Sequence, residues 1–175
     1  MIGVKAPTGL KVELAGSRHI ARLSDELGPH HHAYFTAQPL VDAAGERVGE
    51  VLVAVLEDRI VGAVFVHWGA AEEQVVNDLL PDVPQLYHFE VHEDFRCRGI
   101  GTRLLVEAES LLRSRRFKSV LLGVDRSNQR ARQLYERLGF VEPHQEGLRG
   151  LRVPPGDGGL DHSEPYDILV ADLYR

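Results

Sequence analysis

Apolar and polar residues alternate over Leu10-Lys-Val-Glu-Leu, the pattern of a strand with one buried face. From Ser17 the period changes. Ile20, Leu23 and Leu27 recur at helical spacing, Ser17 is suited to cap the helix, and Gly28-Pro29 ends it. His30-His31-His32-Ala33-Tyr34-Phe35 reads as the start of a second short helix, and residues 42–47, mostly polar or small, as a loop. Val51–Leu56 and Ile60–Val66 are rich in β-branched residues and flank a short charged turn, which predicts a hairpin. The acidic stretch from Gly69 to Pro84 has room for a short helix around Glu72–Leu80, and Leu86–Val91 returns to a strand.

The second half has the clearer patterns. Ile100, Leu104, Ala108, Leu111 and Leu112 form one apolar stripe with a helical period. Val120–Val124 is the next strand. Ala131, Leu134, Tyr135 and Leu138 then line one side of a further helix, which Gly139 stops. Residues 143–164, rich in Pro, Gly and charge, predict a long loop, and the last strand falls within 165–175, around Ile168–Leu173. A hairpin followed by strand–helix–strand–helix–strand predicts an α+β or α/β fold, a mixed sheet with helices on both faces. The 175 residues suit one domain with one core.

Composition narrows the function. A net charge of −6 argues against a dedicated nucleic-acid binder, which usually carries a basic face. No apolar run reaches membrane-spanning length, because Glu57-Asp58-Arg59 breaks the longest one, Val51 to Trp68. Met1–Pro7 lacks a signal-peptide core, and the lone Cys97 fits a reducing compartment, so a cytoplasmic location is expected.

Candidate chemistry centres on Arg96-Cys97-Arg98-Gly99-Ile100-Gly101, at a strand-to-helix junction. Two glycines there let backbone N–H groups close on an anion, and the helix N-terminus adds partial positive charge. A P-loop would need Gly-Lys-Ser/Thr, but Gly101 is followed by Thr102-Arg103. A dinucleotide fingerprint would need a third glycine where Leu104 stands, although Asp125 follows a strand at about the right distance for a ribose. The third reading is a coenzyme A pyrophosphate loop.

The downstream run decides between them. Arg96-x-x-Gly99-x-Gly101 resembles the Arg/Gln-x-x-Gly-x-Gly/Ala signature of the GNAT acetyltransferase superfamily. Asn128-x-x-Ala131-x-x-Leu134-Tyr135-x-x-x-Gly139-Phe140 is similar, at every position, to the superfamily's second acetyl-CoA motif. The two stand in the family's order, one helix and one strand apart, and the resemblance covers about residues 49–142 of a domain taken as 1–175.

That resemblance implies the GNAT fold, with a central, mostly antiparallel twisted sheet, and transfer of acetyl directly from acetyl-CoA to a primary amine on a small molecule or peptide N-terminus. It implies that pantetheine bonds the backbone around Phe89 and Val91. The pyrophosphate would meet the N–H groups of Arg98, Gly99, Gly101 and Thr102, with Arg96 and Arg98 adding charge. Asn128 would order the pantetheine or simply cap its helix. Tyr135 would protonate the leaving thiolate, against the plainer reading of a packed tyrosine. Glu90 or His88 would accept the ammonium proton, with substrate binding as a neutral minor fraction left open. Simple alternation puts His88, Glu90 and His92 on one face and Tyr87, Phe89 and Val91 on the other, unless a bulge of the kind common in the family intervenes. Dimerisation is also common in the family.

Other features have plainer readings. His30–His32 lack an evident acidic or cysteine partner, so no metal is expected. Cys97 has no assignable His and acid around it, so a cysteine nucleophile is not expected. The acidic stretches Glu72–Asp82 and Asp157–Asp167 are solvated faces, or the rim of a pocket for a cationic amine. A non-catalytic acyl-CoA sensor on the same fold is the competing function.

Overall fold

The computed structural model of the chain describes residues 5–28, 44–71, 73–151 and 165–175. The expected helix at His30–Phe35, Glu72 and the 152–164 part of the late loop lie outside the described residues. The described strands form one sheet, in chain order: β1 (Lys11–Leu14), β2 (Gly49–Leu56), β3 (Arg59–His67), β4 (Gln85–Val91), β5 (Ser119–Asp125) and β6 (Tyr166–Asp172). All neighbours are antiparallel except β4 and β5. The helices are α1 (Ser17–Leu27), α2 (Gln74–Leu79), α3 (Ile100–Ser114) and α4 (Gln129–Arg137). This is the mixed sheet the sequence predicts, with helices on both faces.

The expected hairpin is β2–β3. Its two turn residues, Glu57 and Asp58, both have left-handed backbones (φ 51° and 62°), the geometry that matches a two-residue turn to the twist of its strands. Neither is a glycine, and α1 holds the turn from outside. Arg22 donates to the Asp58 carbonyl, and Glu26 accepts from the Ile60 N–H. At the other end of α1 the expected cap is displaced by one residue. The Gly16 carbonyl accepts from Ile20 (3.2 Å), while His19 Nδ1 accepts from the Gly16 N–H (3.1 Å).

Strand alternation sorts the side chains. Leu52, Ala54, Val64, Val66, Leu86 and Leu122 face α3 and α4, and join Ile100, Leu104, Ala108, Leu112 and Phe140 in the main core. On the opposite face Val51, Val53, Ala63 and Phe65 pack with Leu23 of α1, and Leu121 and Ile168 pack with Val76 of α2 and Leu148. That second face therefore has two separate apolar clusters, one on β2–β3 and one on β5–β6.

A charge network fixes α4 to β6. Asp167 is 6% exposed. It accepts from Arg126 Nε (2.9 Å), Arg132 (2.8 Å) and the Gly150 N–H (2.8 Å). Burial works against its charge, but the Gly150 N–H and the two guanidinium groups outweigh it and hold the carboxyl below its ordinary value. A group with a depressed folded pKa stabilises above its unfolded pKa, and loses that contribution as pH falls through the folded one. Asp167→Asn should thus destabilise at pH 7 by about 2 kcal/mol, since it removes the charged acceptor shared by Arg126, Arg132 and the Gly150 N–H, while Arg132 keeps Glu142 at 3.0 Å. Urea unfolding of both proteins at pH 7 and pH 3 should show the gap shrinking at the lower pH.

Candidate active site

β4 and β5 are paired only at Gln85↔Leu121 and Leu86↔Leu122, although β4 runs on to Val91 and β5 to Asp125. Beyond those residues the strands part. The β3 edge of β4 stays bonded as far as Gly62↔Val91, so β4 keeps its place in the sheet while its ladder to β5 stops, which opens a wedge-shaped gap between the two strands.

One extra residue re-aims β4 beside this gap. Phe65 pairs with Tyr87 and Ala63 with Glu90, so one residue of β3 faces two of β4, and His88 takes φ 47°. The simple alternation expected above is thereby overturned. Tyr87 and Glu90 share the α1 face, while Phe89 and Val91 pack into the α3–α4 core. His88 is the bulge itself and belongs to neither row.

Phe89 stands against Tyr135 of α4, with ring centroids 5.9 Å apart. Tyr135 is 5% exposed, and burial pushes its hydroxyl well above the ordinary tyrosine pKa. Its other side is fixed by the end of its own helix. Gly139 (φ 84°) donates to Glu136 (3.0 Å) and Phe140 donates to Tyr135 (3.0 Å). This reciprocal pair closes a helix on a left-handed residue and brings the following apolar side chain back onto the last turn. That contact is Phe140 on Tyr135, at 5.9 Å. At the start of α4, Asn128 Oδ1 accepts from the Ala131 N–H at 3.0 Å, so it caps the helix and leaves its NH2 end as the part a ligand could use.

The loop at the mouth of the gap is built to present N–H groups. A short 3₁₀ turn, Glu93–Phe95, begins at His92, whose Nδ1 accepts from Asp94 (3.3 Å). Cys97 and Gly99 then take left-handed backbones, φ 61° and 75°. Gly99 is the N-cap of α3 and has no side chain to cap with, and the first intrahelical bond runs from Arg103 N to Gly99 O at 3.0 Å. The N–H groups of Ile100, Gly101 and Thr102 therefore lack intrahelical partners and point where the helix dipole is positive. An anion fits there.

The nearby arginines are folded onto the protein. Arg96 Nε donates to the Val91 carbonyl (3.0 Å) and its guanidinium lies 4.0 Å from Glu90. Arg98 and Arg59 each lie over the Phe95 ring, at 5.4 and 5.5 Å. Arg130, in the first turn of α4, donates to Cys97 Sγ, so α4 touches the loop directly. Among the described residues no group of His, Cys, Asp and Glu is placed to hold a metal, and His30–His32 lie outside them. No helix among the described residues is long and apolar enough to cross a membrane.

Residues 18–140 match the acetyltransferase (GNAT) family, and the chain belongs to that family, enzymes that take an acetyl group from acetyl-CoA. No curated protein matches the chain. Among solved structures it is similar to the ribosomal-protein-S18-alanine N-acetyltransferase of Escherichia coli, with 17% identity, 94% of each chain covered and a TM-score of 0.64. It is also similar to a GNAT family acetyltransferase of Elizabethkingia anophelis with acetyl-CoA bound, at 16% identity, 95% of this chain, 99% of that one and a TM-score of 0.60. A Bacillus anthracis protein in complex with acetyl-CoA shares 19% identity and a TM-score of 0.55, over 73% of this chain. This chain spans 64% of the Bacillus protein's length. At these identities the likeness is one of fold.

Gly101 has a second reason to be glycine, which the motif alone does not reveal. A Cβ there would lie 3.0 Å from Phe89 Cζ and 3.3 Å from Leu134 Cδ2. A larger residue would press on the ring that abuts Tyr135, so the domain around it would not stay undisturbed. Gly101→Val should cost about 1–3 kcal/mol by overpacking, and Gly99→Ala about 1–2 kcal/mol through its left-handed backbone. Thermal melts would check both. A Gly101→Val protein that melts at the wild-type temperature would mean that Phe89 and Leu134 yield freely.

Proposed function

We propose that this protein is an N-acetyltransferase that moves acetyl from acetyl-CoA directly to a primary amine. The observation that carries the reading is the gap between β4 and β5, with Tyr135 buried beside it and unbonded N–H groups at its mouth. The thioester supplies the acetyl group. The β4 backbone around Phe89 and Val91, beyond the last β4–β5 ladder pair, takes the amide groups of the pantetheine arm. The N–H groups of Arg98, Gly99, Gly101 and Thr102 take the pyrophosphate, and Arg96 and Arg98 add charge once they swing off the protein. Asn128 orients the arm with its NH2 end.

Glu90 is the better placed of the two candidate bases. The bulge sets it on the α1 face with Tyr87, away from the Phe89–Tyr135 side. An amine arriving from the α1 face gives its proton to Glu90, directly or through water, as its nitrogen bonds to the carbonyl carbon. His88, at the bulge, serves by its backbone and is a base by side chain only in second place. As the carbon–sulfur bond breaks, Tyr135 donates its hydroxyl proton to the departing thiolate. Burial raises the phenol pKa, but the same burial penalises a bare thiolate, so the proton still has reason to move.

Tyr135→Phe keeps both ring contacts and removes only the hydroxyl. It should lower kcat about 100-fold and leave the acetyl-CoA Kd and the melting temperature nearly unchanged. Because burial holds the hydroxyl protonated, wild-type kcat should not fall as pH passes the ordinary tyrosine value of 10.0. Thiol release measured by steady-state kinetics checks both. A folded Tyr135→Phe enzyme with wild-type kcat, in single-turnover as well as steady state, would leave Tyr135 a packing residue.

A further inference from the structure

The helix that carries Tyr135 has little of its own to hold it in place. Of the nine residues of α4, Tyr135 is the buried one, and the others are half-buried or exposed. A helix this short is not stable by itself, so its position is set by what grips it from outside. Toward its start Arg132 is bonded to Asp167. Its far end is gripped by Arg175.

Arg175 reaches three elements with one guanidinium group. It donates to the Leu138 carbonyl, where α4 ends, and to the Asp172 carbonyl, where β6 ends. It also donates to Glu109 Oε1 of α3 at 2.6 Å. Glu109 is 8% exposed and accepts from Arg113 as well, at 3.3 Å. The last carbonyls of a helix lack intrahelical partners, and a cation there also meets the negative end of the helix dipole. A lysine could satisfy one of these acceptors but has no planar fork to span them.

From this anchor a line of contacts runs to Tyr135. Arg175 Cζ lies 5.9 Å from the centre of the Phe140 ring, and the Phe140 ring lies 5.9 Å from that of Tyr135. Phe140 is fully buried, so a shift of the cation above it is passed to its neighbours rather than absorbed by solvent. Gly139 leaves the opening through which Arg175 enters. A Cβ at that position would collide with Arg175 Nε and come within 2.7 Å of its Cδ.

Building on the reading of Tyr135 as proton donor, we propose that Arg175 is a positioning residue for acetyl transfer. It fixes the end of α4 and the Phe140 ring, and through them the place where Tyr135 holds its hydroxyl. Arg175 touches neither acetyl-CoA nor the acceptor. Its loss should therefore act on kcat and spare cofactor binding, which depends on the loop at the start of α3.

The test is a double-mutant cycle between Arg175→Ala and Tyr135→Phe, read by thiol release from acetyl-CoA with n-butylamine as acceptor. Arg175→Ala should lower kcat about tenfold and leave the acetyl-CoA Kd unchanged. In the Tyr135→Phe background the same change should have almost no effect, because the hydroxyl it positions is gone. Arg175→Lys should fall between wild type and Arg175→Ala, and it carries the cycle if Arg175→Ala does not fold. Val76→Ala, in the separate cluster under α2, is the control for general loosening, and its effect should be the same in both backgrounds. A second readout does not need turnover. The chain has five tyrosines, and in 3-fluorotyrosine-labelled protein the fluorine resonance missing from Tyr135→Phe belongs to Tyr135. Arg175→Ala or Arg175→Lys should move that resonance, and Val76→Ala should not. Equal factors for the Arg175 change in both backgrounds, or an unmoved Tyr135 resonance, would overturn the positioning role and leave the transferase reading intact. If Tyr135→Phe keeps wild-type kcat, or no thiol is released, the proton-donor reading fails instead, and the resonance alone decides whether Arg175 positions the ring.

Discussion

Beyond Leu86 the ladder between β4 and β5 stops, and a sheet interrupted in its middle gives up strand-to-strand hydrogen bonds there. The parted strands need something between them and something to hold them apart. Phe89 does the second job. Its ring is wedged among Gly101, Leu134 and Tyr135, so the start of α3 and the middle of α4 are both packed against the strand where it diverges. The first is what the proposed binding mode supplies, a long, thin molecule with amide groups along it such as the pantetheine arm of acetyl-CoA. The anion site at Gly99 and the buried Tyr135 thus lie on one path because Phe89 touches the elements that carry both.

The sequence made the ordering of these parts legible, and the reason is local. The α3 stripe and the α4 stripe are set by residues one turn apart, and the cap at Gly139 by a single glycine. Both motifs are likewise short stretches whose backbone conformation their own residues demand. Gly99 has to be left-handed, and Asn128 has to cap. Periodicity therefore located the strand, the loop and the helix that frame the gap.

What periodicity missed depends on contacts across the sheet. The facing of Glu90 turns on one extra residue in β4, which strict alternation does not contain and which only the register against Ala63 and Phe65 reveals. The second duty of Gly101 depends on Phe89 and Leu134, twelve and thirty-three positions away along the chain. The Asp167 network joins β6 to residues on α4 and near Gly150, so nothing in the stretch around Asp167 marked it as structural rather than as part of an acidic rim. Gly123 did leave a trace, a glycine inside an apolar strand, but its partner Tyr166 comes from the last strand.

The bulge at His88 has a consequence for how this strand can change. Side-chain facing along a strand is a parity, and an inserted residue is a parity error that here has become a permanent setting. On one side of it the strand addresses the α1 face with Tyr87, and on the other it addresses that face with Glu90. Point substitutions at 87, 89 or 90 alter one contact each. Loss of a single residue from 87–89 would do something of another order: it would shift the phase of the strand and exchange the chemistry of its two faces as far as the loop at His92. The strand is thus tolerant in letter and intolerant in frame, the behaviour of a reading frame rather than of a surface.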